Sequence, residues 1–240
     1  MGMRFAWILL AMLPAFAAGA ECSVRSGPRT AALVELYTSE GCSSCPPADQ
    51  WLSSFTRVAG NADVVPMAFH VGYWDYIGWK DTFADPRYTE RQRERASASG
   101  AHYVYTPQVV VGGRDFPGWS SEHSLTSAFE AIRRKPAAVT LELAASMAED
   151  HTLSTRLTAA GDAKLAARDL ALVTVVTQNG LGSRVTAGEN RGENLHHDFV
   201  VRDLAMQRGL GIATASFKPK ADWNPQKMSV AAFVQDRKTG

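Results

Sequence analysis

The feature that most constrains this chain is a pair of cysteines separated by two serines, Cys42-Ser43-Ser44-Cys45. A short apolar run at residues 31–37 precedes the pair, and apolar residues at helical spacing follow it behind Pro46-Pro47. The cysteines therefore lie at a predicted strand-to-helix junction. Because a helix N-terminus stabilises a thiolate, we expect Cys42 to be accessible with a lowered pKa and Cys45 to be more buried.

The spacing of these cysteines also occurs in zinc ribbons, copper carriers and oxidoreductases. A zinc site needs about four ligands, and the sequence has no second Cys-x-x-Cys and no histidine pair at finger spacing. A copper carrier needs fewer ligands, because Cys42 and Cys45 could bind Cu(I) with His70 as a third ligand. Thiol exchange without a cofactor, copper binding and a permanent structural disulfide are therefore the three alternatives.

Residues 1–20 have the pattern of a secretory signal peptide. Arg4 precedes an apolar run that is too short to span a membrane comfortably and that ends in Ala18-Gly19-Ala20. We expect a mature chain that starts at Glu21, has no membrane span and is periplasmic or secreted. An oxidising compartment allows disulfides to persist there.

The overall charge excludes one class of partner. The chain has 25 basic and 24 acidic residues and a formal net charge of +1. Such a balance produces no long-range field that would attract nucleic acid or an anionic membrane.

The hydrophobic pattern divides the mature chain at Pro136. Residues 21–136 alternate strand and helix signals, and a predicted helix with basic residues in its last turn ends at Pro136. Residues 137–240 alternate apolar and polar side chains, which predicts a small, sandwich-like β-rich domain. The last residues, 235–240, read as a strand and a turn without a returning strand.

An insert at residues 72–100 interrupts the first domain. It begins with aromatic residues, and Asp85-Pro86 then opens a charged helix that Gly100 closes. These aromatic residues either form a groove for a client protein or cover the sheet. The charged residues of the helix are interpreted as a solvated face: Arg91, Arg93, Glu94 and Arg95.

The segment Tyr105-Thr106-Pro107-Gln108, followed by an apolar strand and Gly112-Gly113, resembles the cis-proline loop of thioredoxins. The resemblance implies a cis Thr106–Pro107 bond that faces the cysteines and leaves Thr106 free to pair with a client strand. A trans proline at a strand start is the alternative. Glu35 occupies the place of the buried thioredoxin acid that takes the proton of Cys45; a paired or exposed Glu35 is equally compatible with the sequence.

Longer segments resemble a secreted bacterial thioredoxin-like family of unknown function, domain of unknown function family 1223. The resemblance covers nearly all of the mature chain and implies an α/β thioredoxin-like domain and export, but it implies no substrate. The segments that carry it are residues 35–49, 70–76, 78–81, 105–108, 191–194 and 198–202.

The leading hypothesis is therefore an exported thiol–disulfide oxidoreductase with protein thiol or disulfide clients and a recycling redox partner. Cys42, Cys45, Thr106, Pro107 and Glu35 are its candidate site residues. The alternatives are a periplasmic copper-binding module and a non-enzymatic envelope binding protein with a structural disulfide.

Three further residues or segments carry weaker expectations. Cys22 is interpreted as a mobile terminal thiol. At least one of the adjacent His196 and His197 is expected on the surface, because neighbours on a strand face opposite ways. The Arg191–Asn194 loop is expected to cover the cysteine pair.

Overall fold

The structure is a computed structural model that describes residues 21–58 and 63–239. The predicted signal peptide, residues 1–20, lies outside the described residues. Within these ranges there are four α-helices: α1 (Pro46–Ser53), α2 (Pro86–Ala98), α3 (Glu122–Arg133) and α4 (Ala163–Ala166). None of the described helices is long and apolar enough to cross a membrane.

Thirteen strands are found in the same part of the chain. They are β1 (Cys22–Arg25), β2 (Ala32–Thr38), β3 (Val64–His70), β4 (Gln108–Val111), β5 (Arg114–Asp115), β6 (Val139–Met147), β7 (Leu153–Gly161), β8 (Leu170–Gln178), β9 (Leu181–Arg184), β10 (Asn194–His197), β11 (Val200–Arg208), β12 (Gly211–Phe217) and β13 (Met228–Asp236). Short 3₁₀ segments occur at Ser54–Val58, Asp75–Ile77 and Pro225–Lys227.

The largest sheet has seven strands in the order β13-β8-β11-β3-β2-β4-β5. β2 and β3 are parallel, and β4 pairs antiparallel with β2. A second sheet has the order β1-β6-β7-β12, and β9 and β10 form a two-stranded ribbon. The largest of the three sheets is therefore a mixed sheet with both parallel and antiparallel pairs.

The largest sheet contains strands from both sides of the predicted domain boundary at Pro136. Strands β8, β11 and β13 come from the expected β-rich domain, yet they extend the sheet that β2 to β5 begin. The link is the parallel register of Val200 with Ala68. Alternation along a strand predicts its two faces, but it does not specify the sheet that the strand joins.

The seven-stranded sheet folds over on itself. Glu35 and Gln235 are four strand positions apart in the sheet order, which would separate their backbones by about 19 Å in a flat sheet. One nitrogen of Arg91 nevertheless lies 2.6 Å from the Glu35 carboxylate and 2.9 Å from the Gln235 amide oxygen. The pairing register of β11 shifts between Val201 and Asp203, and such irregularities bend strands.

Two apolar cores lie on opposite faces of β2. Val34 and Leu36 pack with α1 residues Ala48 and Leu52 on one face. Tyr37 packs on the other face, in a core that also contains Tyr88 of α2 and side chains of β8 and β13. The strand-to-helix junction predicted from the apolar pattern is confirmed.

The charged face predicted for α2 is partly wrong. The helix starts as expected, because the Asp85 side chain accepts a hydrogen bond from the Arg87 amide. Arg93 is exposed, but Arg91 and Arg95 retain only 4% and 5% of their accessible surface. The reason is tertiary, since the folded-over strand β13 covers the side of α2 that the sequence pattern marks as polar.

The prediction of a mobile Cys22 is also wrong. Cys22 begins β1, where it lies opposite Ala145 of β6 in an antiparallel ladder, and its side chain is exposed. Four paired residues are enough to order the backbone here, because each gains ladder contacts with a nine-residue strand.

Candidate functional site

The cysteine pair lies where β2 leads into α1. Cys42 and Cys45 form a disulfide with their Cα atoms 5.4 Å apart. Cys45 is the N-cap of α1, and Pro46 occupies the first helical turn, where a missing amide hydrogen costs nothing. The two intervening serines are exposed.

Both cysteines are buried, with 1% of Cys42 and none of Cys45 accessible to solvent. The prediction that Cys42 is accessible is therefore wrong, whereas the burial of Cys45 is confirmed. A helix N-terminus predicts the electrostatic environment of a thiol, but it does not predict which distant segment covers the thiol.

The segment that joins β9 to β10 contacts the backbone around the cysteines and is called here the covering segment. Asn190 is buried and donates hydrogen bonds from Nδ2 to the carbonyl oxygens of Glu40, at 2.8 Å, and Cys42, at 3.0 Å. The Glu189 carboxylate accepts a hydrogen bond from the Ser43 amide at 3.0 Å, which holds the pKa of Glu189 below its usual range. The contacts of this loop with the backbone around the cysteines come from Glu189 and Asn190, and not from the expected Arg191–Asn194.

The aromatic insert provides another side of the site. A side chain at Gly41 would place its Cβ 2.9 Å from the Cβ of Trp74, so only glycine fits there. Trp74 donates from Nε1 to the Thr106 hydroxyl at 2.8 Å. Thr106 is followed by a cis peptide bond to Pro107, as the sequence predicts. Trp74 therefore connects the turn before Cys42 with the proline loop.

Beside the disulfide lies a buried group of carboxylates and imidazoles, called here the buried acid–histidine cluster. Each member is at most 6% exposed: Glu40, Asp49, His70, Asp81 and His197. Asp49 lies one helical turn after Cys45, and its amide donates to the Cys45 carbonyl at 3.1 Å. Side chains four residues apart share a helix face, so this geometry brings the Asp49 carboxyl near Cys45.

Only part of the buried acid–histidine cluster is hydrogen-bonded. His70 Nδ1 lies 2.7 Å from Asp81 Oδ2, while Glu40 accepts from the indole of Trp79 at 2.9 Å. His197 lies between two acids, with Nε2 3.3 Å from Glu40 Oε1 and Nδ1 3.8 Å from Asp49 Oδ2. Neither ring nitrogen of His197 has a hydrogen-bond partner among the described residues.

The pKa values of the two aspartates in the cluster are shifted in opposite directions. Burial raises the pKa of Asp49 to about 7, against a smaller opposing effect of His197. Burial would also raise the pKa of Asp81, but the charge and hydrogen bond of His70 outweigh it and lower that pKa. Asp49 is therefore the carboxyl that can gain or lose a proton near neutral pH.

Glu35 is fully engaged elsewhere. Its Oε1 accepts hydrogen bonds from Arg91 at 2.6 and 2.9 Å, and 1% of the residue is exposed. Because Val34 and Leu36 point towards α1, Glu35 points to the opposite face of β2. Of the alternatives that the sequence left open for Glu35, the paired one is found.

The proposed copper ligands are not grouped as a metal site. In the part of the chain that the structure describes, no three His, Cys, Asp or Glu side chains are arranged to hold a metal ion. His70 instead uses Nδ1 for Asp81, and its ring packs at 4.8 Å, centroid to centroid, against His197. His196 is exposed, as expected for one of the two adjacent histidines.

Sequence reasoning missed Glu40, Asp49 and Asp81 and gave no role to His197. The spacing of Asp49 from Cys45 was a usable signal, because a carboxyl four residues after the second cysteine shares its helix face. No local signal brings His197 to this place, since it is 152 residues from Cys45 along the chain.

The fold and site together define an α/β protein with a Cys-x-x-Cys disulfide at a helix N-terminus, next to buried carboxylates and imidazoles. The chain belongs to the family described as "Protein of unknown function (DUF1223)", whose model matches residues 33–235. No curated protein sequence matches the chain.

Similar solved structures include the crystal structure of a protein from Agrobacterium tumefaciens. It is 27% identical, the match covers 80% of each chain, and the TM-score is 0.56. HBP35 of Porphyromonas gingivalis is 15% identical over 89% of this chain and 73% of that one, with a TM-score of 0.62. At such identity the second likeness concerns the fold alone.

Proposed function

We propose that this protein is an exported, thioredoxin-like thiol–disulfide oxidoreductase that acts on protein clients in the periplasm or outside the cell. The observation that carries the proposal is the position of Asp49, a buried carboxyl with a raised pKa, one helical turn after Cys45. A purely structural disulfide has no need of a neighbouring group that exchanges protons near neutral pH. The parallel β2–β3 pair and the proline before β4 support the thioredoxin-like assignment.

The first step is attack on a client disulfide by the reduced protein. The Cys42 thiolate, stabilised by the N-terminus of α1, forms a bond to one client sulfur. The client S–S bond breaks, and its other sulfur leaves as a thiolate that takes a proton from water. Thr106, held by Trp74, and Pro107 present the client backbone to Cys42.

The second step resolves this mixed disulfide. Cys45 gives its proton to the Asp49 carboxylate and attacks the sulfur of Cys42, so that the bond between Cys42 and the client breaks. The second client sulfur leaves as a thiolate that takes a proton from water, so the client is released as a dithiol and two electrons have passed to it from the protein. The reverse steps oxidise a client dithiol.

Access to the disulfide requires movement of residues 189–190. Cys42 is buried while Asn190 and Glu189 hold its neighbouring backbone. A client that binds to the proline loop displaces these contacts, which restricts the reaction to proteins that make enough contact of their own. The second half of the chain therefore serves selectivity.

The decisive experiment traps the mixed disulfide. A Cys45→Ser variant expressed with the native N-terminus should accumulate covalent adducts through Cys42, while Cys42→Ser should give none and Cys22→Ser should behave as wild type. Purified protein should also cycle between dithiol and disulfide in glutathione buffer, with no change after treatment with a chelator. Mass spectrometry of the exported product should find an N-terminus at Glu21.

Two outcomes would contradict this function. A reduction potential below about −300 mV with no trapped adduct would assign the disulfide a structural role. Stoichiometric, tightly held copper with inert thiols would favour a metal carrier.

A further inference from the structure

A large cavity lies away from the cysteines, between the folded-over seven-stranded sheet and the four-stranded sheet. Its volume is about 560 Å³, within the range of about 300–1,000 Å³ typical of small-molecule sites. The walls are mainly aliphatic and come from both sheets; they include Leu33, Val65, Leu141, Leu143, Val230 and Ala232. Such walls suit a hydrocarbon ligand.

Among the arginines that line this apolar cavity, Arg95 is the buried one. Arg95 of α2 is 5% exposed, and among the described residues nothing accepts a hydrogen bond from its Nε or NH1. Two buried guanidinium nitrogens without acceptors are unfavourable, because these donors have lost their hydration without gaining partners. Burial and the nearby charge of Arg91 lower the pKa of Arg95, so an anion beside it would relieve both effects.

The buried groups around Arg95 carry one more positive than negative charge. Arg91 and Arg95 are both buried, and the buried carboxylate next to them is Glu35, which is already paired with Arg91 at 2.6 Å. Glu94 is exposed and contributes only at a distance. The planar fork of a guanidinium matches a carboxylate, and one monovalent headgroup would neutralise the excess charge.

The cavity reaches the surface at one end. Val24 lines it and is 64% exposed, and Arg25 and Arg29 beside it are exposed as well. A ligand can therefore reach the cavity past cationic residues that attract an anionic headgroup. Arg95 itself is buried, and an apolar chain alone would leave its Nε and NH1 donors unsatisfied.

We infer that this cavity binds a single-chain carboxylate amphiphile of the fatty-acid type, with its carboxylate on Arg95 and its alkyl chain between the two sheets. The site is independent of the cysteines, and its occupant stabilises the packing of the four-stranded sheet on the fold. A neutral lipid would not pair with the buried charge of Arg95, and a free inorganic anion would not fill the space between the aliphatic walls.

Calorimetric titration of the purified full-length mature protein with palmitate tests the inference. Saturable binding of one palmitate per chain is expected, with a raised melting temperature, and Arg95→Gln should weaken it about ten- to a hundredfold because a charge-assisted hydrogen bond is lost. Arg93→Gln is the matched control, since Arg93 is exposed on the same helix, and it should bind palmitate as wild type does.

Comparison of ligands keeps the test valid even if Arg95→Gln fails to fold. Wild-type protein should bind hexadecanol at least tenfold more weakly than palmitate, and acetate should give no saturation. Equal affinity for palmitate and hexadecanol, equal palmitate affinity of wild type and a folded Arg95→Gln, or no saturable binding of palmitate would each overturn the inference.

Discussion

Glu35 of β2 and Asp49 of α1 are both buried carboxyl groups, yet their surroundings differ. Glu35 accepts two hydrogen bonds from Arg91, which also contacts Gln235. Asp49 has a histidine nitrogen at 3.8 Å, too far for a hydrogen bond. The two acids lie on opposite faces of the sheet, since α1 packs on the face away from Glu35.

The difference assigns the two acids different roles. The Glu35 carboxylate is matched by the Arg91 guanidinium, so loss of either group would leave a buried charge without its partner. Asp49 has no guanidinium partner, and burial raises its pKa to about 7, within the physiological range. The sequence suggested Glu35 as the proton acceptor, whereas our proposal gives that role to Asp49.

Replacement of Glu35 should have the largest effect, and it should fall on stability. Glu35→Gln leaves the Arg91 guanidinium buried without its anion, so we expect a loss of about 3–5 kcal/mol in the free energy of unfolding. Urea denaturation measures this loss, and Glu130→Gln at an exposed site is the control. A loss below 1 kcal/mol would show that the pair is not needed for the fold.

Replacement of Asp49 should act on the rate of exchange. In Asp49→Asn the side chain no longer accepts the proton of Cys45, so resolution of the mixed disulfide should slow by roughly a hundredfold. Stopped-flow measurement with a disulfide-bonded peptide gives this rate, with the exposed neighbour Gln50→Asn as control. If Glu35→Gln slows the same step in the fraction that remains folded and Asp49→Asn does not, the roles of the two acids are reversed.

The raised pKa of Asp49 should also appear as a pH dependence of stability. The folded protein retains this proton up to about pH 7, whereas the unfolded chain releases it near pH 3.9. Stability from this group is therefore present at low pH and is lost as the pH rises towards 7, by on the order of 2 kcal/mol between pH 5 and 8. Unfolding of wild type and Asp49→Asn at both pH values isolates the contribution, and identical slopes would disprove it.

The covering segment should give the smallest effect. Glu189 is exposed and contacts one amide, that of Ser43, so Glu189→Ala should raise the alkylation rate of reduced Cys42 by roughly two- to fivefold. Glu193→Ala in the same loop should leave the rate unchanged. Equal rates in all three proteins would indicate that Glu189 does not restrict access to the cysteines.

Much of the local structure could be predicted from the sequence. The Asp85-Pro86 start of α2, the hairpin turn at Gly112-Gly113 and the strand before Cys42 all follow from short-range rules, because each depends on backbone chemistry within a few residues. The cis Thr106–Pro107 bond was predicted through resemblance to a known loop. The functional roles of these residues remain predictions.

What the sequence by itself determined is therefore local: the cysteine pair at a helix start, the proline loop and the faces of the strands. The tertiary structure alone decided that β13 folds over α2 to bury Arg91 and Arg95, that Asn190 reaches the Cys42 backbone, and that His197 reaches Glu40 and Asp49. The physical reason is that capping, turn and alternation signals act over a few residues. Burial, and with it the pKa of Asp49 and the isolation of Arg95, depends on which distant segments exclude water.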